Sequence, residues 1–137
     1  MNENSDIHGW QVLAERYGLA HVLTSRLNFL VRDLRGVEWQ AEHLQECGPW
    51  SALSEGSISK LLSAIAQVQA AFKIIRQEAS QIAPSADEPA VQALFDALPK
   101  CADYQLALSA AKAALQGLVA RGIELETQRV HALIAAA

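Results

Sequence analysis

Aromatic side chains are scarce in this chain, at 6% of 137 residues. The core is therefore expected to be aliphatic, with Ala bringing backbones close together. Strand-like alternation of apolar and polar residues is absent too, so nothing competes with the helical periodicity. Basic residues are the minority charge: 11 Lys and Arg stand against 15 Asp and Glu, a net −4. Sequence-independent binding to nucleic acid needs a basic surface to displace counterions, so that class is disfavoured, although a local basic patch remains open. Two cysteines, Cys47 and Cys101, allow one disulfide at most, and reduced thiols in a cytosolic protein are the simpler expectation. No window holds the eighteen or more apolar residues expected of a membrane span. Met1 to Asp6 is polar and acidic, without the basic and apolar regions of a signal peptide. The expected compartment is the cytoplasm. There is no internal repeat, low-complexity segment, phosphate-binding glycine loop or Ser/His/Asp arrangement, and no cofactor is expected.

What the chain does have is long helical patterning in one domain, residues 1–137. From Ile7 to Glu46 the pattern is nearly unbroken. Written as heptads from Leu13, the a positions are Leu13, Ala20, Leu27, Leu34 and Ala41, and the d positions from the second heptad are Leu23, Leu30, Val37 and Leu44. Such a seam belongs to a helix packed lengthwise against near-parallel partners. Gly18 and Gly36 lie outside the seam, and Gly18 could mark a turn between two shorter helices. Cys47-Gly48-Pro49-Trp50 reads as a helix stop; with no second cysteine in the loop, it cannot run dithiol exchange.

Ser57 is a candidate N-cap for a second helix, Ile58 to Ile82. Its seam is the cleanest in the chain: Ile58, Ile65, Phe72 and Ala79 at a, and Leu61, Val68, Ile75 and Ile82 at d. Between Pro84 and Pro99, a capping box Ser85-x-x-Glu88 precedes a short helix carrying Val91, Leu94, Phe95 and Leu98. The last helix is expected from Ala102 to Ile134. Its stripe of Tyr104, Leu108, Ala111, Leu115, Leu118, Val119, Ile123, Val130 and Leu133 drifts around the axis because its spacing is nearer 3.6 than 3.5. Three long helices and one short one make an all-α, up-and-down bundle.

Candidate chemistry is sparse. His43 and Cys47 lie four apart, as two metal ligands on one helix face would, but no further ligand is close in sequence. No metal site is expected, and Asp33, Glu38, Glu42 and Glu46 read as solvated helix charges. Arg16 and His21 form an Arg-x4-His pair, which is similar to the active-site spacing of HEPN-type ribonucleases, a helical family. The resemblance covers those two residues and implies a catalytic role for both. It departs from the family in having Tyr17 where a polar residue is usual, and in placing the pair on the first helix. Leu13-Ala14-Glu15-Arg16-Tyr17-Gly18-Leu19 resembles the first helix and turn of a helix-turn-helix DNA reader, with residues 13–27 as the unit. That resemblance implies a recognition helix from Ala20 to Arg26, yet Thr24 replaces the usual Val or Ile and only Arg26 is reliably basic.

The remaining feature is the back of the first helix. Val12, Leu19, Val22 and Phe29 fall at heptad positions g and c, roughly opposite the seam, and Trp39 adds a large ring near the helix's far end. A surface helix should be polar there. The face is either covered by the short helix and the tail or left free for association. The expectation taken forward is a protein that works by association rather than catalysis: an adaptor, chaperone-like factor or regulator, dimeric through the first helix.

Overall fold

The computed structural model describes residues 3–47, 55–82 and 87–136, with side chains described for 9–46, 57–81 and 87–136. It contains five helices: α1 (Glu3–Tyr17), α2 (Leu19–Cys47), α3 (Glu55–Ile82), α4 (Glu88–Ala97) and α5 (Pro99–Ala136). Among the described residues only Gly18, Asp87 and Leu98 lie outside a helix, and none is in a strand. The fold is an all-α helical bundle.

The expected first helix is two helices. Gly18 has φ +94°, a left-handed conformation open to Gly and costly for other residues. Its N–H still donates to the Ala14 carbonyl, and its own carbonyl accepts from the Val22 N–H. The chain therefore reverses on a single residue. Trp10, sixteen positions before Arg26, has that guanidinium 4.3 Å above its ring, so α1 folds back along α2. The heptad seam consequently starts later than its spacing suggests. Leu13 and Ala20 are exposed, whereas Leu23, Leu27, Leu30, Leu34, Val37 and Ala41 are all buried.

α2 is the central helix, packing most extensively against α5 and next against α3. Gln45 lies beside Gly117, and Arg35 and Glu38 share a surface hollow with Asp103 and Leu106, so α2 and α5 run in the same direction. α3 runs against both, as Leu44 near Ser57 and Asp33 near Gln67 indicate. Its seam holds, with Leu61, Ile65, Val68, Ile75 and Ala79 buried. Over Ser57–Gln81, α3 is also long and apolar enough to cross a membrane by length and composition, contrary to the expectation that no segment would be. Here Leu61, Ile65, Val68, Ile75 and Ala79 line the bundle core, while Leu62 and Ile74 are exposed.

The N-cap of α4 and the start of α5 differ from the sequence reading. Asp87, rather than Ser85, is the N-cap, its carboxylate accepting from the Ala90 N–H at 2.9 Å. Pro99 follows the end of α4, as expected, but also opens α5 three residues before Ala102, at a first helical position where a missing N–H costs nothing. Leu98 before it is extended, as a residue preceding proline prefers. Ser57 lies inside the first turn of α3 instead of capping it. The stop at Gly48-Pro49-Trp50, together with Pro84 and Ser85, lies outside the described residues.

One end of the bundle is filled by aromatic rings. Phe72 stacks on Tyr104 at 4.4 Å and meets Phe95 edge-on at 5.8 Å. The Arg76 side chain reaches Glu88 and so ties α3 to α4. At the other end the described residues belong to α2, α3 and α5, and the last ten described residues of α5 are exposed.

Candidate functional site

The back face proposed for the first helix is divided. Val22 is 3% exposed and belongs to the interior, which corrects its assignment to a free surface. The reversal at Gly18 is the reason: α1 lies against that side of α2. Leu19 is half-buried against the core. Val12 remains exposed, as do Phe29 at 60% and Trp39 at 65%, and the Trp39 ring is stacked on His43 at 5.0 Å. These residues no longer share one continuous helical face, since Val12 sits on α1 and the others on α2.

The Arg16 and His21 side chains are both exposed and lie on opposite sides of the Gly18 corner. Each approaches Tyr17: the Arg16 guanidinium at 5.4 Å from the ring centre, and the His21 ring at 5.7 Å. Tyr17, the departure from the ribonuclease pattern, thus stands between the two. The break needed for a helix-turn-helix is present, but the cation such a reader would use is engaged. Arg26 donates to Glu78 of α3 at 2.5 Å and covers Trp10, leaving it mostly buried. The following helix is the 29-residue centre of the bundle, not a short recognition helix.

His43 is stacked on Trp39, and the Cys47 side chain lies outside the described residues. Among the described residues no three His, Cys, Asp or Glu side chains gather as a metal site would require. Cys101 is half-buried at the start of α5; burial, and then the Asp96 carboxylate, push its thiol above the ordinary range. Burial likewise raises the neighbouring Tyr104 hydroxyl.

A large apolar feature lies elsewhere, on the edge between α3 and α5. These helices touch each other less than either touches α2. A groove of about 480 Å³ opens between them, lined by Leu62, Ile65, Leu115, Val119 and Ile123 with little polar surface. A second hollow of about 260 Å³ continues it past Ile58 and Ile123 to Thr127.

The α5 stripe explains why. Its core-facing residues are Tyr104, Ala107, Ala111, Leu115, Leu118 and Gly122. At 100° per residue, Val119, Ile123, Val130 and Ile134 form a second stripe roughly 110° around the helix from the first. Ile123 is 63% exposed and Ile134 68%. Gly122 is the last buried residue of α5, and every residue from Thr127 to Ala136 is exposed. Ten helical residues amount to about 15 Å of rod that is exposed among the described residues.

Several polar groups on and just before this segment are paired within α5. Arg129 makes a two-pronged contact to Glu126, Nε to Oε2 at 3.1 Å and a terminal nitrogen to Oε1 at 2.6 Å. The hydrogen bond from Arg129 holds the Glu126 carboxyl below its usual range. Arg121 pairs with Glu124 at 3.1 Å. The sequence reading had Val119, Ile123, Val130 and Leu133 in the core stripe of the last helix; its drift was the available sign that they would leave it. No family model matches the chain, and no curated protein or solved structure is similar to it.

Proposed function

We propose that this protein works by protein–protein association, with the α3/α5 edge as its binding surface. The observation that carries the reading is the apolar strip from Leu62 through Val119 and Ile123 to Val130 and Ile134, half of it on a helical segment exposed among the described residues. Single exposed apolar residues are ordinary on a protein surface, but a contiguous strip running into a groove marks a contact site. Helix-in-groove recognition uses apolar anchors at this spacing. The surface therefore moves from the first helix, where Val22 and Leu19 are covered, to the opposite end of the bundle.

A photoreactive side chain placed at Leu62 or Ile123 in expressing cells tests the reading. Discrete adducts at these positions, and none at Phe29, are expected. Adducts at Phe29 alone would return the surface to the N-terminal hairpin, and free chain at all three positions would remove the association reading.

A further inference from the structure

We propose that the occupant of the α3/α5 groove is the projecting end of α5 from a second copy of this chain, laid antiparallel about a twofold axis near Glu126 and Thr127. The inference rests on the α3/α5 edge being a binding surface and adds the identity of the partner.

Spacing carries it first. Val119 and Ile123, beside the groove, are four residues apart, and so are Val130 and Ile134 on the projecting segment. All four lie on one stripe of one helix. Antiparallel pairing centred between residues 126 and 127 sets Val119 against Ile134 of the other copy and Ile123 against its Val130. The twofold axis repeats both contacts, so each copy supplies one groove and one filling helix. This is the self-complementarity that a twofold interface requires.

Area carries it second. Val119, Ile123, Val130, Leu133, Ile134 and Leu62 are between 36% and 68% exposed. Covering six such side chains on each of two copies removes on the order of 1,000 Å² of surface in total, the size at which specific interfaces begin. Within one copy, among the described residues, every position from Thr127 to Ala136 is exposed.

The acid at the centre of the strip would oppose pairing if its charge were free. Glu126 already accepts from two nitrogens of Arg129, and the twofold axis brings two neutralised pairs together.

Sedimentation velocity on the full chain at tens of micromolar tests the oligomer. A species near twice 14.8 kDa is expected, with Ile123→Glu and Val130→Glu each returning it to monomer at unchanged helicity by circular dichroism. A short bismaleimide tests the arrangement in chains carrying Cys47→Ala and Cys101→Ala. Thr127→Cys should link to itself. Val119→Cys should not, because its two copies lie about 22 Å apart along the antiparallel helices, at 1.5 Å per residue. Val119→Cys mixed with Ile134→Cys should link. Self-linking at position 119 would overturn the antiparallel register, and a dimer indifferent to both Glu substitutions would overturn the surface. A monomeric wild type whose Ile123 photo-adducts contain a different protein would end the second-copy inference and leave the association reading standing. A monomer with no adducts would end both.

Discussion

The two ends of this bundle are built from the same three long helices and have opposite characters. At the end holding Phe72, Phe95 and Tyr104, α4 and the folded-back α1 close the structure, and ion pairs join the pieces: Arg26 to Glu78 and Arg76 to Glu88. At the end holding Leu62, Val119 and Ile123, an apolar groove opens between α3 and α5, and the last ten described residues of α5 are exposed. α5 itself makes the comparison sharpest, being a core helix to Gly122 and a bare one after Thr127. Packing, rather than helix propensity, is what changes along it.

If the closed end carries the stability, its rings should be the costliest to remove. Phe95 is 1% exposed and packs edge-on against Phe72. Phe95→Ala should lose about 3–5 kcal/mol, the range for deleting a buried ring and leaving a cavity. Urea unfolding followed by circular dichroism measures this; a loss below about 1 kcal/mol would mean that α4 is not part of the cooperative unit.

The ion pair that fixes α1 comes next. Arg26 and Glu78 have side chains only 14% and 15% exposed, so deleting one partner leaves a poorly solvated charge. Glu78→Ala is expected to cost about 1–3 kcal/mol. Because Arg26 also covers Trp10, hydrogen exchange should accelerate in α1 more than in α3. Uniform acceleration would mean that α1 is not separately anchored. Gly18→Ala isolates the corner itself. No atom lies within 4 Å of the added Cβ, so the cost is conformational, about 1 kcal/mol. A stabilised variant would mean that the hairpin had opened into one straight helix, uncovering Val22.

Legibility in the sequence follows the same division. The seams of α2 and α3 were readable because one side of each helix meets the core over many turns, which writes a strict repeat. The caps of α4 and α5 were harder. Pro99 can end one helix or begin another, and only the extended Leu98 decides between them. Gly18 was visible as a possible turn, yet the heptads of α1 and α2 happen to remain in phase across it, so spacing alone favoured one helix. That coincidence placed Val12 and Val22 on a common face they do not share. The free strip on α5 was masked differently: Val119, Ile123 and Val130 belong to an apolar stripe, and a stripe does not say where its partners stop.

Alkaline titration should also read the closed end, more weakly. Burial raises both the Cys101 thiol and the Tyr104 hydroxyl, from ordinary values of 9.0 and 10.0, so the fold favours their neutral forms. For acids raised in this sense, the contribution is complete below the unfolded values and is lost as pH climbs through the folded ones. The thermal midpoint should thus be level from pH 7 to about 8.5 and fall above about 9. Cys101→Ala should remove the earlier part of the fall and leave the Tyr104 part. A midpoint that falls identically in the variant would assign the alkaline loss elsewhere.

The smallest effect belongs to the open end, and its smallness is the informative part. Ile123→Ser and Leu133→Ser remove apolar surface that the single chain does not bury. In dilute solution, where no partner is engaged, each should change unfolding free energy by less than about 0.5 kcal/mol. Burying the same side chains in a partner would add their full transfer energy, at about 25 cal/mol per Å². Stability of the wild type should then rise with concentration, and that of Ile123→Ser should rise less. The contrast separates two kinds of apolar residue that composition counts alike: those at the aromatic end hold the chain together, and those beyond Gly122 are spare until something covers them. If Ile123→Ser instead cost as much in dilute solution as a buried residue, the strip would be part of the monomer core, and the difference between the two ends would disappear.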